Sequence, residues 1–184
     1  MIKADKEHIK IISEILTISL LNYSIEDNTI IFPETYNIST LENANYTLTY
    51  SNAKSLWNNM VLILTFLEKR KLTIAYLDVK TTYVVNNLYL IPTIHFLPIK
   101  NNNITINHLY NKADIYLSTD LEHIEELPAS VPIQSIYNSL AKYIMTNMFG
   151  SATASMNQIY GTKLYWLLHW CLQDNSEERH LLSI

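Results

Sequence analysis

The chain has 184 residues, with 13 Lys and Arg against 17 Asp and Glu, a net charge of −4, and 48% hydrophobic residues, proportions that suit one globular domain burying its own core. One cysteine, Cys171, excludes an internal disulfide framework, and two glycines exclude every Gly-rich phosphate loop, from the P-loop to the dinucleotide fingerprint. A mildly acidic chain without a Lys/Arg cluster lacks the electrostatic footprint that duplex nucleic acid requires, so no nucleic-acid partner is expected.

Residues 5–21 carry Ile9, Ile12, Leu16 and either Ile15 or Ser19 on one side at three-to-four spacing, which predicts an amphipathic first helix with a core-facing stripe. The charged start offers no secretory segment, and residues 11–21, broken by Glu14, are too short to cross a bilayer. A soluble cytoplasmic protein with a reduced cysteine and no membrane partner is the expectation. The four Asn-x-Ser/Thr triplets at Asn22, Asn37, Asn45 and Asn103 are what chance gives in an Asn-rich chain.

Residues 28–32 read as a short strand that Pro33 ends or confines to an edge, and residues 34–49 as a polar loop with a further strand at 46–50. Ser51 is placed to cap a helix through Arg70, in which Leu56, Trp57, Met60, Leu64 and Leu67 recur at helical spacing. Lys69, Arg70 and Lys71 suit its last turn. Three β-like runs follow at 72–77, 81–85 and 88–96, the latter two joined by Asn86-Asn87, a pair that tolerates the positive φ of a tight hairpin. Residues 100–103 form a turn, 104–106 a short strand, and 107–132 an irregular stretch with an acidic patch at Asp120, Glu122, Glu125 and Glu126. Helices are predicted over 133–149, 162–173 and 176–182. The order is a helix, a few strands and then helices, with no repeat and no domain boundary, which gives one α+β domain.

No two histidines stand at a helical ligand spacing and there is no cysteine pair, so no metal and no other cofactor is expected. Cys171 and His169, two apart on a helix, point away from each other and make no nucleophile pair. Tyr165, Trp166 and Trp170 read as packing within an apolar helix rather than as a stacking platform.

Five short segments in order carry a resemblance. They are Tyr76-Leu77-Asp78-Val79-Lys80 after the long helix, the hairpin 81–96, Ser118-Thr119-Asp120, Ser139-Leu140-Ala141, and the run from Asp174 to Arg179. Together they resemble the C-terminal lobe of the protein-kinase fold over about two-thirds of the chain, which implies a mainly helical kinase-like lobe with a small β-hairpin over 51–184 and a reduced N-terminal segment over 1–50 within a single compact domain. There Asp78 and Lys80 match a His-Arg-Asp-x-Lys catalytic loop, Ser118-Thr119-Asp120 the Ala/Ser-Pro-Glu that ends the activation segment, Ser139-Leu140-Ala141 the Ser-Leu-Gly of the central helix, and Asp174 to Arg179 the Asp-Pro-x-x-Arg near the end of the lobe.

The departures from that pattern set the expected function. The family's magnesium-binding Asn is replaced by Tyr83, and His95 stands near the place of the Asp-Phe-Gly aspartate. A hard cation wants oxygen ligands, and the glycine loop over the phosphates has no counterpart. Asp78, Lys80 and His95 are thus degenerate remnants rather than catalytic residues. The resemblance implies that Asp120 and Arg179 form a buried, bidentate ion pair. It also implies a catalytically inactive kinase-like protein that binds another protein as a scaffold or assembly component, similar to hypothetical proteins of large DNA viruses, with loops 34–50 and 107–132 and their Tyr36, Tyr46, Tyr110 and Tyr116 as partner surface. Two alternatives stay open: an atypical nucleotide-binding enzyme using Asp78 with His95 nearby, and an unrelated α+β structural protein.

Overall fold

The computed structural model describes every residue except 1, 4, 5, 7, 20, 45–47, 87 and 184, and only the backbone at residues 2 and 3. The chain is mixed α+β with small antiparallel sheets, and it divides into two compact units. The first joins residues 1–45 to residues 78–96, and the second joins 46–77 to 97–184. This differs from the expected boundary near residue 50. The 81–96 hairpin belongs with the N-terminal segment because strand β4 supplies its third strand.

In the first unit, β1 (Ile2–Lys3) precedes helix α1 (Ile9–Ile18), whose Ile12, Ile15 and Leu16 are buried. Strands β2 (Ser24–Glu26) and β3 (Thr29–Ile31) form a hairpin, and β3 is the centre of the sheet β1-β3-β2. Asp27 and Asn28 both take positive φ at its turn, 46° and 60°, the left-handed pair that matches strand twist. Pro33 lies beyond the end of β3, which is a central and not an edge strand.

Strand β4 (Ile38–Thr40) then pairs through Ser39↔Val84 with β6 (Tyr83–Val85), which pairs in turn with β7 (Leu88–Leu90). The Val85↔Leu88 register leaves a two-residue loop, with Asn86 at φ 48°. Its side-chain Oδ1 accepts the Asn37 N–H at 3.2 Å, tying the turn to the start of β4. The extra strand expected at 46–50 does not form: Tyr50 opens a helix, and residues 46 and 47 lie outside the described residues. The run 88–96 is only partly strand, since Pro92 leads into a 3-10 turn, Thr93–His95.

The second unit is built on three helices. Helix α2 (Tyr50–Glu68) starts one residue before the expected cap, because the extended Thr49 turns its Oγ1 onto the Asn52 N–H at 3.2 Å. Its stripe of Leu56, Trp57, Met60, Ile63, Leu64 and Leu67 is buried, and Lys71 reverses the chain in the left-handed conformation at φ 58°. Helix α4 (Ser135–Phe149), ended by Gly150 at φ 84°, packs against both α2 and α5 (Lys163–Cys171). Burial of each Leu or Ile here is worth about 1.5–3 kcal/mol, so these helices supply most of the unit's cohesion.

A satellite core of Ala75, Ile104, Ile106, Leu117, Leu121, Ile124 and Val131 gathers around β9 (Asn103–Ile106), β10 (Ala129–Pro132) and helix α3 (Thr119–Glu122). The stretch 107–132, expected to be irregular, therefore holds a helix and a strand that pairs with β9 in the register Val131↔Ile104. The opposite holds for 72–77, where β5 is only Leu72–Thr73 because its partner β8 is only Leu97–Pro98. Beyond it Ile74, Ala75 and Leu77 turn inward as buried loop. The last expected helix is one 3-10 turn, Ser176–Glu178, capped by Asn175. No helix among the described residues is long and apolar enough to cross a membrane.

Candidate functional site

The residues singled out from sequence fall into two sets, one in each unit. In the first, Asp78 opens a tight loop before β6. Its Oδ1 accepts the Lys80 N–H at 3.0 Å and its carbonyl accepts the Thr82 N–H at 2.9 Å, the local pattern of an aspartate-capped turn. Lys80 is exposed, and Tyr83 is half-buried within β6. His95 closes the 3-10 turn, and its Nε2 lies 2.7 Å from the Thr81 hydroxyl. Among the described residues no three His, Cys, Asp or Glu side chains gather where a metal ion would sit.

In the second unit the structure brings Asp120 and Arg179 together. Ser118 caps α3 by accepting the Leu121 N–H, which sets Asp120 in the first turn. After the Ser176–Glu178 turn the backbone extends at Arg179 and sends a fully buried side chain inward. Its Nη1 donates to Asp120 Oδ2, its Nη2 to Thr119 Oγ1 at 3.1 Å and the Asp174 carbonyl at 2.9 Å, and its Nε to the Gln173 carbonyl at 2.8 Å. The expected bidentate fork is not the geometry found. One nitrogen meets the carboxylate, and the other two donate to the Thr119 hydroxyl and to the carbonyls of the chain that curls around the guanidinium.

The same Asp120 oxygen accepts from Ser135 Oγ at 3.0 Å, so the carboxylate is held by α4 as well. Asn138 links three elements, its Oδ1 accepting the Thr119 N–H at 3.3 Å and its Nδ2 donating to the Cys171 carbonyl at 3.1 Å. Ser139 Oγ accepts the buried Leu77 N–H at 2.9 Å, which fixes the end of the 72–77 run on α4. Lys142 Nζ reaches both Glu122 and the Leu117 carbonyl at 2.6 Å. Of the four α4 residues that make these bonds, sequence reasoning reached only Ser139. The signal was present: Ser135, Asn138, Ser139 and Lys142 stand at i, i+3, i+4 and i+7, a polar stripe on a buried helix.

Other expectations need correction. Trp166 and Trp170 are not core packing, being 43% and 36% exposed, and His169 is exposed too, because α5 buries the opposite side through Leu164, Leu167, Leu168 and Cys171. Cys171 donates its thiol to the His180 carbonyl, and burial pushes that thiol up to about 12. It is a buried residue, and burial disfavours the thiolate that nucleophilic attack needs. Tyr36, Tyr110 and Tyr116 are half-buried rather than exposed, packed on Phe32, Tyr76 and Tyr143 respectively, and Tyr46 lies outside the described residues. What the 107–132 stretch does expose is Leu109, Ile115 and Leu127.

Compared with known families and with curated proteins, the sequence matches no family model and no curated protein.

Proposed function

We propose that this chain is a catalytically inactive, protein-kinase-like protein that works in the cytoplasm or in a virion by binding another protein, as a scaffold or assembly component. The observation that carries the reading is the buried Arg179, which clamps Asp120 and the 173–174 carbonyls. That pair joins two of the five segments on which the kinase resemblance stands. The packing of α2 against α4, and the Ser139 bond to the chain just before Asp78, support it further.

What surrounds Asp78 supports the inactive reading. Magnesium-dependent phosphoryl transfer wants several oxygen ligands and a clamp on the phosphates. Asp78 is engaged by the Lys80 amide, the position five beyond it is a strand tyrosine, and His95 offers nitrogen, already within hydrogen-bond reach of Thr81. These residues do not fit a magnesium nucleotide. Binding is what remains for such a lobe to do, and the exposed Leu109 and Ile115 give the 107–132 stretch apolar contact points.

Two measurements test this together. Millimolar ATP with magnesium should leave the melting temperature unchanged, whereas binding at a hundredfold excess over Kd would add about 2.7 kcal/mol. Capture of the tagged protein from its native source should bring down one or two stoichiometric partners, weakened by Leu109→Asp with Ile115→Asp. A thermal shift with ATP, or recovery as a lone chain, overturns the proposal.

A further inference from the structure

The solvent side of α5 has a composition its own unit does not explain. Lys163, Trp166 and Trp170 form one exposed stripe, and Leu182 and Ser183 run beside it to line an apolar groove of about 270 Å³. Trp166, Trp170 and Leu182 are 43%, 36% and 48% exposed, and Tyr160, 68% exposed, packs edge-on against Tyr165, which in turn meets Trp166. The groove wall is fixed from below, since Trp57 Nε1 donates to the Leu182 carbonyl at 2.6 Å. Clustered exposed aromatics of this kind mark interaction surfaces.

Charge says what covers them. Lys163 is the first residue of α5, at the positive end of the helix dipole, and no acidic residue stands in that first turn. Past the other, negative end come the exposed Asp174, Glu177 and Glu178. Both ends thus carry the sign that opposes the dipole. A second α5 laid antiparallel reverses this, putting each Lys163 at a negative helix end beside acidic side chains.

The spacing agrees. A two-fold axis level with residue 168 sets Trp166 opposite Trp170 of the second copy and Lys163 opposite its Gln173, next to the exposed Asp174. One patch that is complementary to itself is what an isologous dimer requires. We infer that the Trp166/Trp170 face of α5 is the interface of a homodimer, paired antiparallel and oriented by Lys163 against Asp174. The inference stands apart from the kinase-like reading and is unaffected if that reading fails.

Sedimentation of the full chain across a concentration series tests it. A concentration-dependent dimer is expected, weakened by salt, with Trp166→Glu raising its Kd at least about tenfold and leaving unchanged the thermal melt recorded at concentrations where the parent is monomeric. Lys163→Glu and Asp174→Lys should each weaken the dimer, and the double variant should regain most of the affinity. A chain that stays monomeric to about 100 µM overturns the proposal. So does a dimer indifferent to Trp166→Glu, a charge exchange without rescue, or a Trp166-dependent complex formed only with a different protein.

Discussion

Removing the guanidinium of Arg179 is the perturbation that most directly probes the second unit. In Arg179→Ala, four hydrogen bonds disappear: those to Asp120, Thr119, and the carbonyls of Gln173 and Asp174. The side chain is fully buried and Asp120 is 16% exposed, so solvent replaces little of what is lost. Ser135 still donates to the orphaned carboxylate, which limits the damage. A buried pair broken on one side costs about 3–5 kcal/mol. For a chain of this size, at about 2–4 °C per kcal/mol, the melting temperature should fall by about 6–20 °C.

Trp57, Trp166 and Trp170 all lie in the second unit, so tryptophan emission during urea unfolding reports on it specifically. Arg179→Lys should recover only a minor part of the loss, because an ammonium cannot span acceptors that a planar fork reaches from three nitrogens. Asp120→Ala combined with Arg179→Ala should cost less than the sum of the two singles by about 0.5–3 kcal/mol. An Arg179→Ala protein within about 1 kcal/mol of the parent, or strictly additive singles, refutes the reasoning.

Alkaline pH should weaken the fold. Burial pushes Cys171 and Tyr110 up to about 12, and raises Tyr137 further still, with the neighbouring Glu68 adding to the effect. In the unfolded chain these groups ionise near their ordinary values of 9.0 and 10.0. Between there and about pH 12 the folded form binds more protons, so stability present below pH 9 is lost as pH rises, by at most about 1.4 kcal/mol per pH unit per group and less for the partly exposed Tyr110. Urea midpoints that stay level from pH 8 to 11 would contradict this. Ser139→Ala strands the buried Leu77 N–H and should cost about 1–3 kcal/mol, read from the same emission curves; a neutral substitution would mean the amide finds water instead. Asn86→Ala should cost about 1–2 kcal/mol, read from far-UV melts, while Asn86→Gly stays nearly neutral, since φ 48° strains any Cβ; equal effects would place the cost in the lost Asn37 bond.

What could be read from sequence follows how local each determinant is. Helix α2 announces itself because its buried stripe recurs along 19 consecutive residues, and the β6-β7 hairpin because Asn-Asn sits at the one place where positive φ is needed. Strand β10 is invisible by that route. It has four residues ending in Pro132, and it is a strand only because β9, over twenty residues upstream, lies alongside it. The α5 misreading has a different cause: Leu164, Leu167 and Leu168 on one side and Trp166 and Trp170 on the other are equally apolar, and hydropathy cannot say which side the unit covers. For Arg179, hydropathy points the wrong way, since an arginine is among the last residues expected to be wholly buried. The resemblance supplied the pair, but the cradle lay in a pattern of its own. Four polar residues on one stripe of α4 are tolerable in a packed core only if each finds a partner. Counting those partners from the helix outward leads to Asp120 through Ser135, to Thr119 and Cys171 through Asn138, to Leu77 through Ser139, and to Glu122 through Lys142. Helix α4 is therefore the element on which the second unit's polar geometry is assembled. Any partner or second copy that engages α5 presses on a helix that Asn138 ties directly to the Asp120 clamp.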